Sequence, residues 1–225
     1  NSHNPLVILA VQGPHSSTQL AKLFPELNNA LNQLKPFHST VCACAFGEIM
    51  FSRTGYTGED GFELFLTQGQ ATALWDALLQ AGVLPAGLGA RDTLRIEAGY
   101  NLYGQDMSLT TKPIDCGLSW TVDLQANRSF VGAQALRSSN QQRALLGLVL
   151  LDKGILRVHQ EVITNQGNGT ITSGTFSPSL QKSIAFASLP KDTPLKSIVH
   201  VKVRDELLQA QVVKNAFVRL GQPLL

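Results

Sequence analysis

Residues 53–64 read RTGYTGEDGFEL, and the parsing of this stretch decides the fold. Gly55, Gly58 and Gly61 are interspersed with Tyr56, Thr57, Glu59 and Asp60, so 55–61 is turn-prone and too rich in glycine for a regular element. On its C-terminal side Phe62, Leu64 and Leu66 recur at every second position, the period of a strand, with Glu63 in register on the opposite face. On its N-terminal side 40–53 is rich in β-branched and aromatic residues. The reading is two strands joined by a structured loop.

Further out, 6–11 (LVILAV) is a continuous apolar run, read as a buried strand that ends at Gly13-Pro14. A helical pattern follows through Leu20, Leu23 and Leu27. Beyond the loop, Ala71, Leu74, Trp75, Leu78 and Leu79 fall at helical spacing within 70–79, with Ala81-Gly82 as the stop. A second helix is expected over 91–98, closed by Gly99. Strands and helices in this order predict an α+β or α/β sheet layered with helices.

A short helix is expected over 131–136, and the polar run RSSNQQR (137–143) is the best domain boundary. From Ala144 the pattern changes to short strands at 145–150, 161–164, 169–172, 183–188, 198–203 and 207–213, the recurrence of a small all-β sandwich or barrel. Val199, Val201 and Val203 alternate with His200 and Lys202 ahead of Asp205-Glu206, a hairpin signature. The domains are therefore expected at 1–138, α+β, and 139–225, all β.

The chain has 225 residues, 44% hydrophobic and 15% charged, enough to bury one large or two modest cores. Eighteen basic against 16 acidic residues give a formal charge of +2, too weak a field to single out nucleic acid or a lipid surface, so a small ligand is expected. Cys42, Cys44 and Cys116 are odd in number without CxxC spacing, which argues against disulfides and structural zinc and for a reducing compartment. Two apart in TVCACAF, Cys42 and Cys44 would share one strand face as small apolar residues. No targeting segment is visible after Asn1, and the longest apolar runs, such as LLGLVLL, are too short to span a bilayer. The sequons at Asn127 and Asn168 carry no weight without a secretory signal.

Gly87-Leu88-Gly89 imitates a dinucleotide fingerprint but has Asp92 where the third glycine belongs, and no apolar strand precedes it. His3, His15, His38, His159 and His200 lack metal-ligand spacing, and no Gly-x-Ser-x-Gly elbow occurs. Two clusters remain. In 53–64 the glycines either serve a plain connecting loop, with Glu59 and Asp60 solvated at its tip, or shape a site. There a Glu63 carboxylate facing a cleft would accept two parallel hydrogen bonds from a ring bearing an exocyclic amine beside a ring N–H. In 87–107 (GLGARDTLRIEAGYNLYGQDM) Arg91 and Arg95 lie one turn apart on a helix face, suited either to an anion or to local pairing with Asp92 and Glu97. Tyr100 and Tyr103 would stack on a planar ligand or cap a core.

These two clusters, in this order and separation, together with ITSGTFSPSL (171–180), resemble the signature of the glycine cleavage T-protein family, the folate-dependent aminomethyltransferases. The likeness runs from LAVQGP (9–14) to AFVR (216–219). It implies a ferredoxin-like folate-binding domain interrupted by a second domain and followed by a C-terminal β-barrel. On that expectation the chain holds the second half of the folate domain and the whole barrel, without the first half or the inserted domain. The implied reaction has N5 of tetrahydrofolate attack the methylene of an aminomethyl group on the lipoyl arm of H-protein, expelling ammonia and giving 5,10-methylenetetrahydrofolate. Positioned carboxylates, rather than a metal, would orient and stabilise the iminium-like centre.

By the same resemblance Glu63 is the pterin-holding glutamate, Tyr56 lines the folate site and Arg91 is the arginine of the ARD motif. Arg95 and Trp120 are second-tier candidates, and Tyr100 stands where the family often has a smaller apolar residue. The family's catalytic aspartate falls outside this chain, so no residue here inherits that role. Tetrahydrofolate as co-substrate, lipoylated H-protein as partner, no nucleic acid and no membrane are implied. The compartment is the bacterial cytoplasm or, in a eukaryote, the mitochondrial matrix. The alternatives are a non-catalytic folate-binding fragment or the folate module of a sarcosine-type dehydrogenase. The iron–sulfur assembly folate protein is disfavoured, because Thr54-Gly55-Tyr56 stands where it carries Lys-Gly-Cys-Tyr. An unpaired sheet edge in the first half is expected to promote dimerisation or aggregation.

Overall fold

The computed structural model describes residues 5–125 and 128–225; His3 and the sequon at Asn127 lie outside them. It divides into two compact units between Leu94 and Arg95, a division carried by the helix α4 (Leu88–Ala98).

The first unit begins with β1 (Leu6–Gln12), α1 (Ser16–Leu23), α2 (Asn28–Gln33), β2 (Ser39–Cys44) and β3 (Gly47–Ser52), and continues with β4 (Gly61–Thr67) and α3 (Gln68–Gln80). Its antiparallel sheet has the order β1-β4-β3-β2. One face is covered by helices: Leu20, Phe24, Leu74 and Leu78 pack on Val11, Phe51, Phe62, Leu64 and Leu66. Phe24 meets Phe51 edge-on at 5.4 Å between centroids, a favoured aromatic geometry. Cys42 and Cys44 sit half-buried against this core, and burial pushes the Cys44 thiol pKa up.

Two expectations need correction. The run 6–11 is not buried on both sides: Val7, Leu9 and Val11 face the core, whereas Leu6 and Ile8, 67% and 53% exposed, lie on the other face. The stretch 40–53 is a hairpin of two strands, so three strands rather than two surround the loop. Its turn, Ala45-Phe46, leads into Gly47 at φ +94°, a backbone conformation that glycine allows, and is also secured from outside. Gln70 Nε2 donates to the carbonyls of Phe46 (2.8 Å) and Glu48 (3.2 Å), while its Oε1 accepts from the Thr67 amide at the start of α3 (2.8 Å).

The second unit contains the C-terminal part of α4, a long connecting segment, α5 (Ala133–Arg137) and a closed six-stranded barrel. The barrel strands are β5 (Arg143–Leu150), β6 (Glu161–Thr164), β7 (Gly167–Ser177), β8 (Lys182–Pro190), β9 (Ile198–Val203) and β10 (Glu206–Val213), in the order β10-β5-β8-β7-β6-β9. Barrel, not sandwich, is the outcome, and the α+β class with a C-terminal all-β barrel holds. Leu148, Val162, Ile171, Ala187, Val201 and Val212 fill the lumen. A two-stranded pair, β11 (Val218–Arg219) and β12 (Gln222–Pro223), had no counterpart in the sequence reading.

Candidate functional site

The loop between β3 and β4 is built around Gln12, the last residue of β1. Gln12 Nε2 donates to the carbonyls of Thr54 (3.1 Å) and Phe62 (3.3 Å), and its Oε1 accepts from Thr57 Oγ1 (3.1 Å). One side chain thus ties both ends and the middle of the loop to the sheet. Gly55 and Gly61 lie directly against it: a Cβ on Gly61 would stand 2.6 Å from Gln12 Cδ, and one on Gly55 would overlap Gln12 Oε1. Neither glycine has a positive φ, so a side chain there is opposed by space rather than by the backbone, and would have to displace the Gln12 carboxamide.

The base of the loop is closed by Arg53, whose Nε and Nη2 donate to Asp60 Oδ1 (2.9 Å) and Oδ2 (2.7 Å), with Nη1 donating to the Leu34 carbonyl (2.8 Å). Asp60, which one of the two readings left solvated at the loop tip, is partly exposed but paired. Its partner is seven residues away across the loop, and the Arg53 guanidinium holds the Asp60 carboxyl below its ordinary range.

Glu63 projects from β4 on the face opposite Phe62 and Leu64, opposite Ala10 of β1 and Ser52 of β3. Its Oε2 accepts from Thr54 Oγ1 at 2.5 Å, joining it to the loop. Tyr56, two residues beyond Thr54, lies under Arg91, whose guanidinium carbon is 4.7 Å from the ring centroid, within cation–π range. Arg91 also lines a cleft of about 250 Å³, with Gln12 and Thr57 as further polar lining and Trp75, Leu79 and Pro85 among its apolar walls; Tyr56 and Glu63 are not among its lining residues. The structure brings Tyr56 and Arg91 together and links Glu63 to the same loop.

The second-tier candidates behave differently. Arg95 is fully buried, donating from Nη1 to Asp106 Oδ2 (2.7 Å) and from Nη2 to Ser173 Oγ (2.8 Å), so it does not present its charge beside Arg91 to a solvent-borne anion. Asp106 also accepts from Thr172 Oγ1 (2.5 Å) and the Leu102 amide (2.8 Å). Glu97 accepts from Ser177 Oγ (2.5 Å) and Ser179 Oγ (3.0 Å). The hydroxyls of 171–180 thus satisfy buried charges in the barrel unit, a structural use of that motif. Trp120 is 82% exposed, in a 3₁₀ turn at Ser119–Thr121. Tyr103 is exposed as well.

A family model described as the GCVT N-terminal domain matches residues 1–126, and one described as the glycine cleavage T-protein C-terminal barrel domain matches 143–219. The chain belongs to the glycine cleavage T-protein family. Among its relatives, aminomethyltransferases of Cupriavidus necator and Nitrosomonas europaea are 56% and 53% identical over 98% of this chain and 59% and 61% of their own lengths. The crystal structure of glycine cleavage system aminomethyltransferase T from Bartonella henselae is similar with a TM-score of 0.84 at 33% identity, over 96% of this chain and 60% of that one. The chain spans about three-fifths of the length of these relatives. Within this T-protein family chain, the features that sequence reasoning missed are Gln12, Thr54 and the Arg53–Asp60 pair. The available signal was the spacing of Gly55 and Gly61, since a loop glycine can mark close approach by another group as well as a turn.

Proposed function

We propose that the chain binds tetrahydrofolate and serves the aminomethyltransferase reaction of the glycine cleavage system, in which the methylene of aminomethyl-lipoyl H-protein passes to tetrahydrofolate with release of ammonia. The observation that carries the reading is one preorganised loop: it bonds the Glu63 carboxylate through Thr54 and places the Tyr56 ring beneath Arg91. Glu63 accepts the pterin's exocyclic amine and ring N–H as two parallel hydrogen bonds, fixing the ring plane. Tyr56 and Arg91 form the adjoining wall, aromatic on one side and cationic on the other, suited to a planar anionic ligand. Holding the ring in one orientation directs its nucleophilic nitrogen at the incoming carbon, so the contribution of these residues is positioning. No catalytic residue is assigned within this chain.

Identity of 53–56% to proteins named aminomethyltransferase favours this reading over the folate module of a sarcosine-type dehydrogenase. Lipoylated H-protein is the proposed partner, tetrahydrofolate the co-substrate, and the bacterial cytoplasm the proposed compartment, in keeping with the bacterial relatives. The folate-binding region is proposed to extend through residue 138, with the barrel domain from 139. The family matches support this by ending at 126 and resuming at 143.

Calorimetric titration with tetrahydrofolate tests the reading. Glu63→Gln replaces one acceptor by a donor against the ring edge and is expected to weaken binding by about 10- to 100-fold. Equal affinity in the two proteins would sink the assignment of Glu63.

A further inference from the structure

We infer that Thr54 is a positioning residue: its hydroxyl orients the Glu63 carboxylate so that the outer carboxylate edge is presented to the amine-bearing edge of the pterin. The inference rests on the folate reading given above.

The geometry that supports it is local to one unit. Thr54 Oγ1 lies 2.5 Å from Glu63 Oε2 and 3.0 Å from Ser52 Oγ. A hydroxyl has one proton, and its two contacts compete for it; Glu63 Oε2, the shorter contact at 2.5 Å against 3.0 Å for Ser52 Oγ, takes the Thr54 proton. That contact occupies one acceptor position on Oε2. It leaves Oε1 and the remaining acceptor position of Oε2 for two parallel N–H donors, the pairing that an amine beside a ring N–H requires.

Thr54 is itself held. Gln12 Nε2 bonds its carbonyl at 3.1 Å, and the ladder partner Ser52–Glu63 fixes the facing strands. A glutamate has three side-chain torsions, and without the hydroxyl its carboxylate would sample several orientations. The hydroxyl therefore reduces the ordering left for the ligand to impose.

The test is a two-by-two titration of the full 225-residue chain with tetrahydrofolate and its 2-desamino analogue, using Thr54→Val and Thr54→Ser. Thr54→Val keeps the shape and removes the hydroxyl. It is expected to weaken tetrahydrofolate by about tenfold and the desamino analogue by less than about twofold, while Thr54→Ser restores binding of both. A structural role for Thr54 would weaken both ligands equally, and that result overturns the inference. If Glu63→Gln loses tetrahydrofolate affinity and Thr54→Val does not, the folate reading stands and the inference falls alone. If the unsubstituted chain does not bind tetrahydrofolate, the reading and the inference fall together.

Discussion

Gln12 and Gly55 compete for one space: the carboxamide of Gln12 fills the volume that a methyl group on Gly55 would need. Gly55→Ala is therefore expected to displace Gln12 and cost about 2 kcal/mol through its lost hydrogen bonds. Gln12→Ala vacates the space, so the double variant should be no less stable than Gln12→Ala alone. Urea unfolding of the four proteins checks this; strictly additive losses would mean that the two residues do not share the space.

The stacking of Arg91 on Tyr56 separates affinity from stability. Tyr56→Leu removes the ring from a half-buried loop position, so the loss of unfolding free energy is expected to stay near 1 kcal/mol. Tetrahydrofolate affinity is expected to fall by about three- to tenfold, since the guanidinium is no longer held in plane. Titration beside thermal unfolding distinguishes this from general damage to the loop, which would lower the melting temperature in proportion.

The Arg53–Asp60 pair gives an acid-side signature. Arg53 depresses the Asp60 pKa in the folded protein, so as pH falls the unfolded chain takes up this proton first. The contribution of the pair is present above about pH 4, the ordinary carboxylate value, and is lost as pH falls through the lower folded value. Because both side chains are partly exposed, it amounts to about 1 kcal/mol at most. Asp60→Asn should flatten the stability profile below about pH 4 relative to the parent and lower the plateau above it. Parallel slopes in acid would refute this.

Buried charge in the barrel unit predicts a large effect on stability. Asp106→Ala would leave the fully buried Arg95 guanidinium without its carboxylate and is expected to cost about 3–5 kcal/mol. Trp120→Ala, at an exposed turn, is expected to change stability by less than about 0.5 kcal/mol. The urea midpoints of these two variants test the contrast.

The barrel was legible because short strand-like runs bounded by turn residues recur along the sequence, although the reading 169–172 caught only part of β7. The readings 161–164 and 198–203 match β6 and β9 at both ends. Features that depend on distant groups were not legible. The β2–β3 turn is held in part by Gln70 of α3, and its one local signal, Gly47 at positive φ, is a single glycine within a strand-like run. The run LVILAV suggested burial on both faces because apolarity alone does not reveal that only one sheet face is covered. At the site, the face on which Glu63 emerges followed from the alternation of Phe62 and Leu64. The Arg53–Asp60 pair was not anticipated because the cation lies across the loop, and Gln12 was missed because its partners are more than 40 residues away.

The register of β4 links the core to the direction of the Glu63 side chain. β4 is paired along its whole length with β1 and, at Glu63, Leu64 and Phe65, with β3. A slip by one position would drive the Glu63 carboxylate in among Phe24 and Phe51 and turn Phe62 and Leu64 outward, a desolvation and exposure penalty of several kcal/mol. Phe62 and Leu64, which sit on the opposite face from Glu63, thereby set the direction of its carboxylate. Substitutions that loosen their packing would blur the ligand's orientation while leaving every polar group of the loop chemically intact.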